Sequence, residues 1–172
     1  MSSGFHRGGF ENATVVHGDR TLLRPVEEAD VDLLLEWHAD EDVARYWDDK
    51  TFTRATMLLR LARERVTPFV VEAEGEPIGY LQVHDLDDDG DGGLDMFLVP
   101  AARGRGLGPD AARAMANHLL GERGWTRVTV DPYAWNAAGL RGWRKAGFVD
   151  LETHGADDEH VAPWVLMEFS RR

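Results

Sequence analysis

The sequence predicts a mixed α/β domain in which an antiparallel first half is followed by strands that are connected through helices. Turn signals at Gly18-Asp19 and at residues 74–77 each separate two short apolar runs, which is the pattern of β-hairpins. Later in the chain, segments with helical periodicity stand between the apolar runs, which is the pattern of helical crossovers. Because the 172 residues show no linker and no internal repeat, we expect one domain over residues 13–172.

The first half is predicted to contain five strands and two helices. The strands are expected at residues 14–16, 21–24, 68–73, 78–83 and 94–99, and the helices at 30–38 and 53–66. Asp30 suits the N-cap of the first helix, because its side chain can accept from the free N–H groups of the first turn. Pro25 ends the second strand. Pro68 is expected to stop the second helix, since proline disfavours the helical conformation in the residue before it.

The second half is predicted to alternate helices and strands. One helix is expected from near Pro109 to Leu120, and the remaining elements are a strand at 127–131, a helix at 136–146 and strands at 148–152 and 163–169. Gly147 follows the second of these helices at the position where a left-handed residue commonly ends a helix. The predicted order of the whole chain is β-β-α-α-β-β-β-α-β-α-β-β.

Composition restricts the possible functions. The chain has no cysteine, which excludes disulfides, thiolate metal sites and cysteine nucleophiles. Its formal net charge of -12 disfavours nucleic acid as a partner and favours cationic partners, although acidity also serves solubility. The seven histidines show no ligand spacing, and residues 85–90 fit only the first half of a calcium loop, so no metal is expected.

The sequence also indicates where the protein works. No apolar run approaches the roughly 20 residues of a membrane span, and the N-terminus lacks the apolar core of a signal peptide. We therefore expect a cytoplasmic protein without a membrane partner. Residues 1–12 are rich in Gly and Ser and are predicted to be a flexible tail.

A glycine-rich turn between a predicted strand and a predicted helix is the most informative motif. Gly104, Gly106 and Gly108 stand at alternate positions, so the backbone can approach a ligand closely and adopt positive φ. The helix N-terminus offers several N–H groups to one anion, and Arg103 and Arg105 can add charge-assisted hydrogen bonds. The motif is not a P-loop, because no Gly-Lys-Ser/Thr follows. We predict a phosphate-bearing cofactor here; the alternative is a surface turn with two solvated arginines.

These residues resemble the signatures of the GNAT superfamily of N-acetyltransferases. Residues 103–108 read Arg-Gly-Arg-Gly-Leu-Gly and are similar to the Arg/Gln-x-x-Gly-x-Gly loop that holds the pyrophosphate of acetyl-coenzyme A in that family. Residues 136–148 resemble the second signature, Asn-x-x-Ala-x-x-x-Tyr-x-x-x-Gly-Phe, at a matching distance. The resemblance covers roughly residues 20–170. It implies the GNAT fold, in which a mixed, mostly antiparallel central sheet is flanked by helices on both faces.

Other segments resemble the aminoglycoside 6′-N-acetyltransferase branch of this superfamily. They are residues 66–69, 75–82, 94–95 and 130–132, together with the aromatic and acidic run at 46–49. The resemblance implies an enzyme that moves an acetyl group from acetyl-coenzyme A to a primary amine of a cationic small molecule. An aminoglycoside, at its 6′-amine, is the leading candidate, and the negative net charge agrees with a polycationic substrate.

The strand before the glycine-rich turn is predicted to carry the chemistry. Asp95 is the candidate general base, or the group that positions the ammonium ion. A carboxylate surrounded by Leu94, Met96 and Leu98 is costly to bury without partners; the alternative is an edge-strand aspartate that faces water. A backbone N–H near residues 97–99, assigned to Leu98, is expected to polarise the thioester carbonyl, and the resemblance implies a bulge there.

The resemblance also implies the other site residues. The cofactor-binding candidates are Phe97, Leu98, Val99, Arg103, Gly104, Arg105, Gly106, Leu107, Gly108, Pro109, Asn136, Arg141, Trp143 and Lys145. The substrate-binding candidates are Tyr46, Trp47, Asp48, Asp49, Tyr80, Gln82, Asp95 and Asp131. Asn136 can bind the cofactor or cap its own helix.

Trp143 departs from the family pattern, which has a tyrosine at this position as the usual candidate for protonating the leaving thiolate. An indole N–H is far too weak an acid for that role. We expect Trp143 to form a wall along the pantetheine arm, and the proton donor stays open among water, Tyr133 and another residue.

Two further functions stay open at this stage. Related enzymes often carry glutamine at the position of Met96, and Trp143 also departs from the family pattern. These two residues leave open a transferase that acts on protein N-termini or polyamines, or one that uses another acyl chain. A coenzyme A-binding regulatory module without turnover is the alternative from a different class. The chain is compatible with a monomer or a homodimer.

Overall fold

The described strands form one mixed sheet. The structure is a computed structural model that describes residues 14–48, 50–86 and 88–171, so the predicted tail over residues 1–12 lies outside the described residues. The strands are β1 (Val16–His17), β2 (Leu22–Pro25), β3 (Val66–Ala73), β4 (Glu76–Asp85), β5 (Asp91–Leu98), β6 (Arg127–Val130), β7 (Phe148–His154) and β8 (Trp164–Phe169). They follow the order β1-β2-β3-β4-β5-β6-β8-β7, and every neighbouring pair is antiparallel except β5 with β6.

Helices cover both faces of this sheet. The described helices are α1 (Val31–Ala39), α2 (Glu41–Ala44), α3 (Arg54–Leu61), α4 (Leu107–Gly121) and α5 (Ala137–Ala146). Tyr80 and Phe97 point from β4 and β5 into a core cluster with α1, α2 and α3. Their neighbours Leu81 and Leu98 point to the opposite face and pack with α4 and α5, as strand alternation requires. The predicted fold class is therefore confirmed. None of the described helices has the length and apolar character that a membrane span requires.

Two helix boundaries and one capping contact differ from the predicted ones for identifiable reasons. Helix α3 ends at Leu61, well before residue 66, because residues 66 and 67 already pair with β4. Helix α4 begins at Leu107, so Pro109 lies inside its first turn, where an N–H would have had no helical partner. Asp30 does not cap α1 with its side chain; its carboxylate instead accepts from the backbone N–H of Glu27 and from the guanidinium of Arg24.

The parallel pair β5–β6 creates the cleft of the molecule. The two strands pair only from Asp91 to Gly93 on β5, opposite residues 127–129. Strand β6 ends at Val130, whereas β5 continues to Leu98 beside β4. Within the described strands, residues 94–98 therefore have a partner on the β4 side alone. Their other edge is open for a ligand.

Asp110, in the first turn of α4, fixes the β1–β2 turn onto the end of the cleft. Its carboxylate accepts from the backbone N–H groups of Asp19, Arg20 and Thr21 at 3.1, 3.1 and 3.0 Å, and from the Thr21 hydroxyl at 2.7 Å. Burial raises the pKa of Asp110, but these hydrogen bonds outweigh that effect and lower its pKa below the ordinary value. The charged form is therefore favoured in the folded state.

We expect Asp110→Ala to lower the free energy of unfolding by about 2 kcal/mol, because three backbone donors and one hydroxyl lose a charged acceptor. Because the folded pKa is lowered, the loss is complete near neutral pH and shrinks as the pH falls through the carboxyl range. Urea unfolding at two pH values measures both effects. Asp150→Ala is the control, since its ion pair with Arg144 is exposed and should contribute less than about 1 kcal/mol. An equal loss in both variants would contradict the assignment.

Candidate active site

Two cavities lie along the open part of β5 and share the side chains of Tyr46, Met96, Asn136 and Trp143. The turn cavity, of about 510 Å³, lies between β5, the glycine-rich turn and α5. The acidic cavity, of about 290 Å³, is bounded by residues 46–63, by β5 and by the segments that contain Asp131 and Glu159. A ligand that extends along β5 can therefore reach from one cavity into the other.

The glycine-rich turn has the conformation of an anion-binding turn. Gly104 and Gly106 adopt φ of 73° and 77°, and Gly106 is the N-cap of α4. In the part of the chain that the structure describes, no backbone N–H of residues 104–108 donates to a backbone carbonyl. These donors lie at the positive end of a 15-residue helix, which is where phosphate groups bind. The residues present fit the pyrophosphate of a coenzyme.

The basic side chains near this turn are divided between the cavity and the rest of the molecule. Lys145 and Arg141 of α5 line the turn cavity. Arg103 also lines it, but its guanidinium donates to the carbonyl oxygens of Leu98 and Asp42, at 3.0 and 2.9 Å. The side chain of Arg105 is not part of the cavity lining and lies 3.8 Å from Glu74. The arrangement thus favours Lys145 and Arg141 as phosphate partners and gives the two arginines of the turn other contacts.

The second signature places Asn136 and Trp143 between the two cavities. The Asn136 side chain caps α5 by accepting from the backbone N–H of Gly139 at 2.9 Å, and Gly147 ends the helix with φ of 120°. Trp143 packs edge-to-face on Phe148 with ring centroids 5.2 Å apart. Its ring therefore forms a fixed wall of the cleft, in the position that we expect for the pantetheine arm.

The backbone of β5 offers a hydrogen-bond donor to the cleft. The N–H of Val99 donates to the carbonyl of Ile78 on β4, at 2.9 Å. Because donors alternate along an antiparallel strand, the N–H groups of Phe97 and Val99 face β4, and those of Met96 and Leu98 face the open edge. The β4–β5 pairing is regular over residues 92–98, so the expected bulge is absent. The Leu98 N–H is free for a ligand because the pairing of β5 with β6 ends at Gly93.

Asp95 lies on the open part of β5, on the face opposite to Leu94 and Leu98. Its neighbours are therefore polar groups of β4 instead of the aliphatic side chains that the sequence suggested. Its Oδ2 accepts from Gln82 Nε2 at 2.9 Å and lies 3.3 Å from His84 Nδ1. About a third of the side chain, 34%, is exposed, in the acidic cavity. Among the described residues no donor contacts Oδ1, so this oxygen can accept a ligand N–H.

The environment of Asp95 keeps it ionised. Burial raises its pKa, but the hydrogen bond and charge of His84, the hydrogen bond of Gln82 and the charge of Arg60 together lower the pKa below its ordinary value. Burial lowers the pKa of His84, but the contact with Asp95 and the charges of Asp131 and Asp85 together raise it above its ordinary value. His84 is a contact that sequence reasoning missed.

We expect His84→Gln to reduce stability by up to about 1 kcal/mol, and to do so mainly at low pH. The folded pKa of His84 is raised, so its contribution is complete below the unfolded value of about 6.5 and is lost as the pH rises through the folded pKa. Thermal unfolding of the wild type and the variant at about pH 5.5 and pH 9 measures the difference. His17→Gln, at an exposed site on β1, is the control. A difference that grows with pH would contradict the pairing with Asp95.

The acidic cavity contains both signs of charge. Its lining includes the carboxylates of Asp48, Asp95, Asp131 and Glu159, and the cations Lys50, Arg60 and Arg63. Asp131 Oδ2 lies 2.7 Å from His160 Nε2, and His160 Nδ1 lies 2.9 Å from Asp157. Burial and the charge of Asp95 raise the pKa of Asp131 despite the His160 contact. Asp131 and Asp95 thus repel each other, and a bound cation between them would relieve that repulsion.

The aromatic and acidic run predicted to bind substrate is divided by the fold. Tyr46, Trp47 and Asp48 line the acidic cavity, whereas Asp49 lies outside the described residues. Gln82 lines it too, but Tyr80 is only 1% exposed and does not reach it. The Tyr80 hydroxyl donates to Gln82 Oε1 at 2.9 Å. Tyr80 therefore supports the site from behind, because its position on β4 faces the core cluster of α1 to α3.

Tyr133 is a poor source of a proton for the leaving thiolate. Its hydroxyl donates to Asp48 Oδ1 at 2.5 Å, and burial together with this bond raises its pKa to about 12. Its ring stacks on Trp135 at a centroid distance of 5.8 Å. Tyr133 thereby holds Asp48 in the wall of the acidic cavity.

Sequence reasoning missed a set of residues that surround Asp95 or line the acidic cavity. They are Lys50, Arg60, Arg63, His84, Glu159 and His160. His84 shares the strand face of Gln82, so the alternation of β4 was a usable signal. No sequence signal indicated Arg60 and Arg63, since their positions in the site depend on how α3 and the segment after it pack against the sheet.

Comparisons with known proteins show the family of this chain. The sequence matches the acetyltransferase (GNAT) domain family over residues 20–149. It is 32% identical to aminoglycoside N(6′)-acetyltransferase type 1 of Klebsiella pneumoniae over 173 aligned positions, covering 90% of this chain and 85% of that protein. The enzyme of the same name from Serratia marcescens matches equally. The chain therefore belongs to the GNAT acetyltransferase family.

Solved structures extend the comparison. The structure of AAC(6′)-Ib in complex with paromomycin and acetyl-coenzyme A has a TM-score of 0.77 and 30% identity, and the match covers 89% of this chain and 94% of that one. A spermidine N-acetyltransferase from Vibrio cholerae, with coenzyme A and spermine, has a TM-score of 0.77 at 12% identity and shares the fold.

Proposed function

We propose that this protein transfers an acetyl group from acetyl-coenzyme A to a primary amine of a cationic small molecule, with the 6′-amine of an aminoglycoside as the acceptor. One observation carries the proposal. The open part of β5 presents an ionised carboxylate to the acidic cavity and a free backbone N–H at its other end, while the anion-binding turn follows directly in the chain. The AAC(6′)-Ib structures with bound aminoglycosides supply the particular acceptor.

The turn cavity supports the choice of cofactor. The free N–H groups of residues 104–108 and the ammonium of Lys145 would hold the pyrophosphate, and Trp143 would line the pantetheine arm. Bound acetyl-coenzyme A supplies an activated thioester carbonyl. The Leu98 N–H would donate to the oxygen of that carbonyl, where negative charge develops during attack.

Asp95 would hold the acceptor amine. Its Oδ1 is open to the cavity, while Gln82 and the His84 contact fix Oδ2. A carboxylate with a lowered pKa binds an ammonium ion well and retains a proton poorly. Its main contribution is thus to orient the amine and to pass its proton towards solvent. Holding the amine and the thioester in line can lower the activation barrier by about 7–11 kcal/mol.

Neither Trp143 nor Tyr133 offers the leaving thiolate an acid of suitable strength. The indole N–H is a hydrogen-bond donor only, and the Tyr133 hydroxyl is bound to Asp48. We infer that water protonates the leaving thiolate or that the thiolate leaves as the anion. The anion is a feasible leaving group because the ordinary pKa of a thiol is about 8.5, close to neutral pH.

The test is thiol release from acetyl-coenzyme A with kanamycin A, spermine or an unblocked peptide as acceptor, followed by mass spectrometry of the products. We expect release with kanamycin A and a single acetyl group on its 6′-amine. Release only with spermine, or only with the peptide, would show that the acceptor is a polyamine or a peptide instead of an aminoglycoside. Tight binding of acetyl-coenzyme A without release in any reaction would favour a regulatory module.

A further inference from the structure

Arg60 places a fixed cation close to the carboxylate that receives the acceptor amine. Its Nη2 donates to Gln82 Oε1 at 3.3 Å, and Gln82 Nε2 in turn donates to Asp95 Oδ2 at 2.9 Å. One amide group therefore separates the guanidinium from Asp95. The positive charge of Arg60 is close enough to lower the pKa of Asp95 and that of His38.

Packing holds this guanidinium in place. Its central carbon lies 5.0 Å from the ring centre of Trp47 and 5.1 Å from that of Phe52, which are cation–π distances. The Nε atom is buried, and no described residue accepts from it. The guanidinium is therefore a fixed positive charge in the lining of the acidic cavity.

The other cations of the acidic cavity belong to the same part of the chain. Lys50 and Arg63 line the cavity together with Arg60. The carboxylates lie outside the segment 50–63, at Asp48, Asp95, Asp131 and Glu159. The cavity therefore has cations on the segment 50–63 and carboxylates elsewhere. A ligand with ammonium groups on all sides would match only part of it.

We propose that Arg60 is a specificity residue that favours acceptors whose reacting ring carries hydroxyl groups and disfavours those with a second ammonium group on that ring. The acceptor class is then an amino sugar whose reacting ring is otherwise hydroxylated. This inference rests on the proposed function, because it assumes that the reacting amine sits on Asp95. A hydroxyl oxygen can accept from the guanidinium, while an ammonium can only be repelled by it.

A pair of kanamycins tests the proposal directly. Kanamycin A and kanamycin B share the 6′-amine and differ at one position of the same ring, where A has a hydroxyl and B an amine. We expect the wild type to favour kanamycin A by roughly tenfold in kcat/KM, which corresponds to a modest like-charge repulsion in a partly solvated site. The preference should lie in KM, since both compounds present the same reacting amine.

Arg60→Gln removes the charge and keeps a polar side chain. We expect the ratio of the two kcat/KM values to fall to within about twofold in this variant, and Arg60→Lys to retain a preference for kanamycin A. Arg54→Gln is the control, because Arg54 lies on the same helix and pairs with Asp32 at the surface, at 2.7 Å. The control should keep the wild-type ratio.

The outcomes are distinguishable. Equal use of both compounds by the wild type, or an unchanged ratio in a folded Arg60→Gln protein, overturns the role of Arg60 while the proposed function stands. Absence of thiol release with both kanamycins overturns the proposed function itself. Circular dichroism of each variant establishes that it is folded, and Arg60→Lys supplies a second measurement if Arg60→Gln does not fold.

Discussion

Asp95→Asn is expected to lower kcat/KM for the amine acceptor by at least about 10²-fold, which is the usual lower range for a residue that handles the proton of the reacting group. Asparagine has nearly the same volume and can still contact Gln82 and His84. It cannot, however, offer a negative charge to an ammonium through the open Oδ1 position. The loss should appear in both KM and kcat, because the amine is neither attracted nor oriented.

The affinity for acetyl-coenzyme A separates this role from damage to the fold. The turn cavity does not include Asp95, so the dissociation constant measured by calorimetry should change by less than about twofold. Asp91→Asn is a matched control, since Asp91 lies on the same face of β5 and outside both cavities. Wild-type turnover by Asp95→Asn would remove this carboxylate from the mechanism.

Gly106→Val is expected to weaken the binding of acetyl-coenzyme A by more than about tenfold, or to abolish it. Gly106 has φ of 77°, a conformation that costs an L-residue roughly 1–2 kcal/mol and a β-branched residue more. A Cβ here would meet no protein atom closer than 3.6 Å, from Arg20, or 3.7 Å, from Lys145. Apart from the backbone strain, the added Cβ would have no close contact with the protein, and the side chain would occupy the space in front of the N–H groups at the start of α4.

Gly75→Val controls for the strain alone. Gly75 lies in the β3–β4 turn with φ of 78°, and a Cβ there would have no neighbour within 4 Å. Both variants should lose similar stability in urea, but only Gly106→Val should lose the heat of acetyl-coenzyme A binding. Normal binding by Gly106→Val would contradict the assignment of residues 104–108 to the phosphates.

Local sequence patterns predicted those features of the site that are formed by residues of one helix, one strand or one turn. The glycines of the turn at residues 103–108 can adopt the positive φ that this turn requires. The side chain of Asn136 caps the start of α5, and Gly147 ends that helix because it can adopt positive φ. Asp95 could be singled out because a carboxylate interrupts an apolar strand. These features depend on residues within a few positions of one another.

The surroundings of Asp95 could not be predicted in the same way. Strand alternation alone would have placed Asp95 on the face opposite to Leu94 and Leu98, and would have suggested Gln82 and His84 as neighbours once the β4–β5 register was known. That register, however, is a property of the sheet. The same applies to Tyr80, which is buried beneath the site, and to Arg105, which lies beside Glu74 outside the turn cavity.

The sequence by itself determined the family, the order of the strands and of every α-helix except α2, the glycine-rich turn and the carboxylate on the strand before it. Tertiary structure alone decided which donors face the cleft, because the Leu98 N–H is free only where the pairing of β5 with β6 has ended. It also decided the charge of the acceptor site. Arg60 and Asp95 are 35 positions apart, and only the packing of α3 on β4 brings a guanidinium to the amide that supports the carboxylate.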